Sequence, residues 1–362
     1  VPRLLSLDAL RGVAVILMME QHLGVWLWQI EDPLRSALAQ APGYMALNGL
    51  GGLAAPTFIT LAGAGTSLLV ASRPGQPVDA TLLRRGLALL GFGYLLNYLT
   101  PSWFSTGSWF VLHLMGFAIA TAPLWRRLGD VALLAGQAVV LLVTVAAQYW
   151  LQTPILLDNS RMRDLALPGG ALRLALVEGQ FPVLPWLGVF FAGMVVGRWL
   201  LAEEHGRVLA LARACLLIGL ALIGLDYAAG HVSALAVLRA EPWTRLVHVR
   251  TSFYPASPGI VLLLQSGVLL MLGAALHVEA RRALDPRGWL VTLGRASLTL
   301  LIVHVVLFRE ISRPLGAWQA FGRGTALAII AAWIVLCALL SRVWQRGGYR
   351  FGAEWLLRRL GG

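Results

Sequence analysis

The chain has 362 residues, of which 58% are hydrophobic and only 13% charged, with a mean hydropathy of +0.74; that balance excludes an ordinary soluble domain. The formal charge of +12 comes from 29 basic residues, all Arg. They sit between apolar runs rather than on one face with interleaved aromatics, which argues against nucleic acid and for the lipid surface as the basic partner. Cys215 and Cys337 lie far apart within apolar runs and read as small buried hydrophobes, neither a disulfide nor a metal pair.

Apolar windows bounded by Gly, Pro and charge place spans near 9–30, 49–71, 82–99, 108–125, 130–150, 183–202, 208–228, 258–278, 288–309 and 324–345. The expected fold is therefore all-α, a single polytopic membrane domain over 1–362 with about ten transmembrane helices by the window-length rule. The first span is expected to be retained and not cleaved as a signal peptide, because Glu20 to His22 interrupts its apolar region and "SALAQA" lies too far beyond it. Arg73, Arg84, Arg85, Arg126, Arg127, Arg207, Arg213, Arg281, Arg282, Arg287 and the Arg-rich C-terminus all follow even-numbered spans. The alternate connections, such as 101–108 without charge and the net-negative 31–35, are poor in Arg. The positive-inside rule then puts both termini in the cytoplasm, with the long connections 151–182 and 229–257 on the opposite face. No repeat relates the two halves by eye, and Gly193 with Gly197 gives a small-xxx-small spacing suited to close helix packing.

The first span, "SLDALRGVAVILMMEQHLGVWLW", carries Asp8, Arg11, Glu20, Gln21 and His22. The eleven-residue step from Arg11 to His22 is about 1100° at 100° per residue, so both side chains share a face, about 16 Å apart along the axis. Asp8 is at the i,i+3 spacing that pairs with Arg11. Glu20 is nearly opposite His22 and needs a different partner, since an acidic group at a helix centre costs about 2.5 to 3.5 kcal/mol. Taken singly, Arg11 is a topology anchor and His22 an interhelical hydrogen-bonding residue. Taken together, a phosphate-capable cation and a base on one face describe a site for a long ligand with an anionic head and a reactive end, a description that acyl-coenzyme A meets. The rival reading is a transporter or solute-binding scaffold whose intramembrane charges bind cargo.

The Arg, ten residues, His arrangement resembles that of transmembrane acyltransferases, and the wider chain resembles their heparan-alpha-glucosaminide N-acetyltransferase-like branch. Six further stretches carry the resemblance in order: "AAPTFITLAGAGTSLL", "VLHLMGFAIA", "FPVLPWLGVFFAGMVVGR", "SFYPASPGIVLLL", "LGRASLTLLIVH" and "YRFGAEWLLRR". That resemblance implies transfer of an acyl group, typically acetyl, from cytoplasmic acetyl-CoA to an amine or hydroxyl of a sugar or glycan across the membrane. His22 then matches the catalytic histidine, with Glu20 as a second catalytic candidate, and Arg11 matches the motif arginine. The sequence departs from the branch at "VLHLMG", where the closest glucosaminide transferases are expected to carry a Gln-Arg pair.

Donor phosphates are expected on Arg11, held by Asp8, with Arg84, Arg85 and Arg295 as further candidates. His113, Ser297, His304, Tyr254 and Trp243 are the acceptor-side candidates: Ser297 and His304 are seven apart and share a face, and the two aromatics suit stacking on a sugar. His205, His231, His248 and His277 lack ligand spacing, so no metal is expected. The expected location is the bacterial cytoplasmic (inner) membrane, with membrane lipids, acyl-CoA and a glycan acceptor as partners, no nucleic acid, and a homo-oligomer left open.

Overall fold

A computed structural model describes residues 4–29, 42–248 and 253–361. The 31–35 connection used for orientation lies outside the described residues. Among the latter the regular elements are helical. In chain order they are α1 (Leu5–Leu27), α2 (Pro42–Leu50), α3 (Ala54–Ser72), α4 (Val78–Leu99), α5 (Val111–Trp125), α6 (Asp130–Trp150), α7 (Val183–Leu201), α8 (His205–Ala229), α9 (Pro258–Arg281), α10 (Trp289–Arg295), α11 (Ser297–Val305), α12 (Arg323–Arg346) and α13 (Ala353–Gly361), with short turns between them.

Six helical stretches among the described residues are long and apolar enough to cross a membrane, and seven if the bent pair α10 and α11 counts as one. The rule passes over the remaining expected spans for identifiable reasons. Polar groups from Arg11 to His22 lower the hydropathy of α1, Asp79, Arg84 and Arg85 charge the start of α4, and α5 is 15 residues long. The chain is a multi-pass membrane protein. Its peripheral helices show why: α8 and α12 leave Leu217, Leu220, Val335, Leu339 and Val343 largely uncovered, a surface that belongs against hydrocarbon.

Helix α7 is the innermost, with nearly every residue buried. It reaches that position through small residues: a Cβ on Gly193 or Gly197 would collide with the carbonyls of Thr60 or Ala64 on α3, and one on Gly63 with that of Phe190. The small-xxx-small spacing thus serves backbone approach. A second such crossing joins α1 to α10, where Gly12 lies against the carbonyl of Leu290 and Gly294 against that of Asp8. This crossing fixes the register of the first helix against the bent pair.

The pair bends by 73° around Ala296. Breaking a helix there exposes the first amides of α11, which need acceptors. Glu354, at the start of α13, supplies them: its carboxylate accepts from the Leu298 and Thr299 amides at 2.6 and 3.0 Å and from the Thr299 hydroxyl at 2.6 Å.

Candidate functional site

A cavity of about 720 Å³ runs between α1, α3, α4, α5 and the bent pair. Asp8, Arg11, His22, Arg85, Arg295, Ser297 and Tyr254 all line it. Arg11 and His22 therefore face one continuous space, as their helical spacing requires.

At one end Asp8 bridges two guanidiniums. Its carboxylate accepts from Arg11 Nη1 at 3.2 Å and from Arg295 Nε at 3.0 Å, while the side chain itself is buried. An acidic group so placed cannot attract a phosphate; it holds the two arginines, five-donor forks both, in position. Arg85 contributes a third guanidinium to the same lining. Its neighbour Arg84 is exposed and donates Nε to the Ala80 carbonyl at 3.2 Å, away from the cavity, because adjacent helical positions diverge by about 100°.

At the other end His22 Nδ1 lies 2.9 Å from His304 Nε2, and His304 Nδ1 lies 2.8 Å from the Leu300 carbonyl oxygen. A carbonyl only accepts, so His304 carries its proton on Nδ1 and its Nε2 is a lone pair when the ring is neutral. His22 must then donate through Nδ1. The chain of donors ends with the lone pair of His22 on Nε2, the state required of a base or nucleophile. Aromatic rings hold the imidazole: it stacks on Trp26 at 5.1 Å and meets the edge of Trp103 at 5.2 Å. Arg309 lies over both tryptophan rings and donates to Ser102 Oγ and to the Ser102 carbonyl, each at 3.2 Å.

Besides Arg84, four expected residues do not line the cavity. Glu20 is buried off the cavity face, two residues from His22, and its carboxylate makes no hydrogen bond of ordinary length among the described residues. His304 is fully buried behind His22 and bonds to that ring, with its own ring against Trp26 at 6.1 Å. His113 packs among Tyr94, Trp109 and Phe110, and its Nδ1 accepts the Phe110 amide at 3.3 Å, so it closes the start of α5. Trp243 stands half-exposed on the helical turn Trp243–Val247. Tyr254 does reach the cavity, against Phe181 and Phe253, and burial raises its phenol pKa, keeping the hydroxyl a donor.

The wall beside Tyr254 includes Gln180 and Phe181. Their loop is anchored by Glu178, which is fully buried and accepts from Arg173 at 2.7 Å, Thr153 at 2.8 Å and Arg161 at 3.1 Å. Burial alone raises the Glu178 pKa, but the hydrogen bonds from Arg173, Thr153 and Arg161 outweigh it and hold the group below the usual carboxylate value.

Sequence reasoning missed Gln21, Gln180, Tyr349, Glu354 and Arg358, which line the cavity, and Trp26, Trp103 and Arg309, which surround His22. Gln21 and Trp26 carried a signal, since each neighbours His22 along α1. Trp103 sits in a charge-free connection without periodicity, and Arg358 reads in sequence as one more C-terminal topology anchor. Among the described residues no three His, Cys, Asp or Glu side chains converge as a metal site.

The family model described as heparan-alpha-glucosaminide N-acetyltransferase, catalytic, matches residues 3–229. No curated protein matches the chain significantly. The matched part is more than half of the sequence and contains α1, with both Arg11 and His22, and the Arg85 wall. The chain belongs to the heparan-alpha-glucosaminide N-acetyltransferase catalytic family, a family of transmembrane acetyltransferases.

Proposed function

We propose that the protein transfers an acetyl group from acetyl-CoA, admitted at the arginine end of the cavity, to an amine or hydroxyl of a sugar or glycan presented at the histidine end. One observation carries this reading: Arg11 and His22 line a single cavity, with Arg295 joined to Arg11 through Asp8 and Arg85 in the same lining. The separation of about 16 Å along α1 suits a ligand whose anionic head and reactive end are joined by a long thin arm. Arginine charge density in the connections orients the arginine end toward the cytoplasm, where both termini then lie.

In this reading Arg11, Arg85 and Arg295 bind donor phosphates through charge-assisted bonds, and Asp8 keeps the first and last in place. The Nε2 lone pair of His22 faces the thioester. It takes the proton of the acceptor amine or hydroxyl as that atom attacks the carbonyl, and the proton passes to the departing thiolate. Alternatively, Nε2 itself attacks and the thiolate leaves; the acceptor then attacks the acyl-imidazole, Nε2 departs with its lone pair, and the acceptor's proton passes to the thiolate. His304 serves either route as a positioning residue by accepting the Nδ1 proton. Ser297 and Tyr254 offer hydroxyls within the cavity to the ligands.

The test uses reconstituted protein, labelled acetyl-CoA and a panel of amino sugars, with His22→Ala in parallel. Wild type is expected to label an acceptor, and the variant to lose about 10²- to 10⁴-fold of the rate, the range of general-base catalysis. Equal labelling by both proteins removes His22 from the chemistry. Label retained on wild type without acceptor, and absent from His22→Ala, identifies the acyl-imidazole route. Absence of any CoA binding refutes the donor assignment.

A further inference from the structure

The arginine end of the cavity is not closed by the family-matched region alone. Gln345, Tyr349, Glu354, Leu357 and Arg358, all from the C-terminal segment, also line it. Helix α13 packs on α4, which carries Arg85, and on α11. Its position is fixed at several points. Glu354 receives the α11 amides, the Ala353 amide donates to the Thr299 hydroxyl at 2.8 Å, and the Tyr349 hydroxyl donates to the Thr292 carbonyl at 3.3 Å. The terminal helix is thus latched to the bend that also positions Arg295 and Ser297.

Arg358 sits one turn beyond Glu354, at the i,i+4 position that shares its face. Its side chain is exposed, lines the cavity and makes no hydrogen bond or ion pair among the described residues. Arg85 lies within Coulombic reach of both Arg358 and Arg73. Like charges brought together at a rim repel, and a multiply charged anion relieves that repulsion by bonding to several of them. Arg359, the next residue, turns to another face and stacks its guanidinium over the Trp355 ring at 4.4 Å.

We propose that α13 is a phosphate clamp at the cavity mouth, in which Arg358 binds the 3′-phosphate on the adenosine end of the donor. The inference rests on the donor reading above and extends it to the nucleotide's outermost group. Exposure sets the assignment. Arg11, Arg85 and Arg295 are partly buried, so they meet the phosphates nearer the pantetheine arm, whereas Arg358 is exposed at the rim and meets the part of the ligand that remains outside. A nucleotide phosphate ester there places up to three acceptor oxygens before one guanidinium fork.

The test is calorimetric titration of the full chain in lipid nanodiscs with CoA and with 3′-dephospho-CoA, for wild type, Arg358→Gln and Arg359→Gln. Wild type is expected to bind CoA about tenfold more tightly than dephospho-CoA, the size of one charge-assisted hydrogen bond. Arg358→Gln removes that preference by weakening CoA about tenfold and leaves dephospho-CoA unchanged, and Arg359→Gln behaves as wild type. Equal wild-type affinity for the two ligands overturns the clamp while leaving the donor reading standing. So does an equal loss in both arginine variants, which marks a general surface-charge effect. Failure of wild type to bind either ligand overturns the donor reading and the clamp with it.

Discussion

Replacing His304 isolates the contribution of a residue that touches no ligand. The 2.9 Å contact between the rings gives the His22 Nδ1 proton its acceptor, and the 2.8 Å contact to Leu300 fixes which nitrogen of His304 does the accepting. A hydrogen bond of this kind contributes about 0.5 to 1.5 kcal/mol, or roughly two- to twelvefold in rate. Losing it has a second effect. Without an acceptor at Nδ1 the neutral His22 ring is free to take the Nε2–H tautomer, in which no lone pair faces the cavity. The combined loss is bounded by the whole general-base contribution, about 10²- to 10⁴-fold. His304→Ala is therefore expected to lower kcat about 10- to 100-fold with little change in KM for acetyl-CoA. His304→Gln, whose amide oxygen accepts the same proton, is expected to recover much of it. The assay is steady-state transfer from labelled acetyl-CoA by protein matched for thermal unfolding midpoint, since His304 is fully buried and its truncation leaves a void. Activity of the alanine variant within twofold of wild type refutes the argument. Equal slowness of the alanine and glutamine variants also refutes it, by reducing His304 to a packing residue.

Two further outcomes follow from packing and charge. Gly294→Ala places a methyl against the Asp8 carbonyl and is expected to destabilise the protein by about 1–3 kcal/mol, read as a lower unfolding midpoint in detergent; Gly91→Ala, which meets open space within α4, is the control and is expected to leave the midpoint unchanged or higher. Glu178 has a folded pKa below its unfolded value, so the stability it contributes is present above the ordinary carboxylate pKa of about 4.3 and is lost as pH falls through the folded value. Glu178→Gln is expected to be about 3–5 kcal/mol less stable at neutral pH, because it leaves Arg173 and Arg161 without their partner, and to lose less stability on acidification than wild type. Parallel acid-unfolding curves for the two proteins exclude that role.

The parts of the site legible in sequence are those that depend on one helix. Arg11 and His22 share a face because about 100° per residue returns after eleven steps, whatever surrounds them. The same arithmetic separates Glu20 from His22 and Arg84 from Arg85; Glu20 and Arg84 are both site candidates by sequence, and the cavity lining leaves both out. Ser297 and His304 also share a face by spacing, but the bend at Ala296 and the contact to His22 are tertiary. Trp103 reaches the imidazole from an irregular connection, and Arg358 reaches the cavity because Glu354 latches α13 to amides that exist only where a helix is broken. His113 illustrates the opposite error. A histidine in an apolar run suggests chemistry, yet its lone pair satisfies a backbone amide.

Two distant pairs, Asp8 with Arg295 and His22 with His304, depend on one helix register. Gly12 and Gly294 meet at the crossing of α1 with α10, and His22 and His304 each lie ten residues further along. The two segments advance together from the arginine end of the cavity to the histidine end, so one crossing fixes both contacts. Sliding α1 by a single residue would rotate its side chains by about 100° relative to the partner segment and shift them about 1.5 Å. Asp8 would leave Arg295 and His22 would leave His304 in the same step. The small residues at the crossing resist such a slip, because a Cβ fits at neither Gly12 nor Gly294 and any other register brings a larger side chain into that space. The arrangement of the arginines at one end and the donor–acceptor pattern of the imidazole at the other are thus coupled through packing.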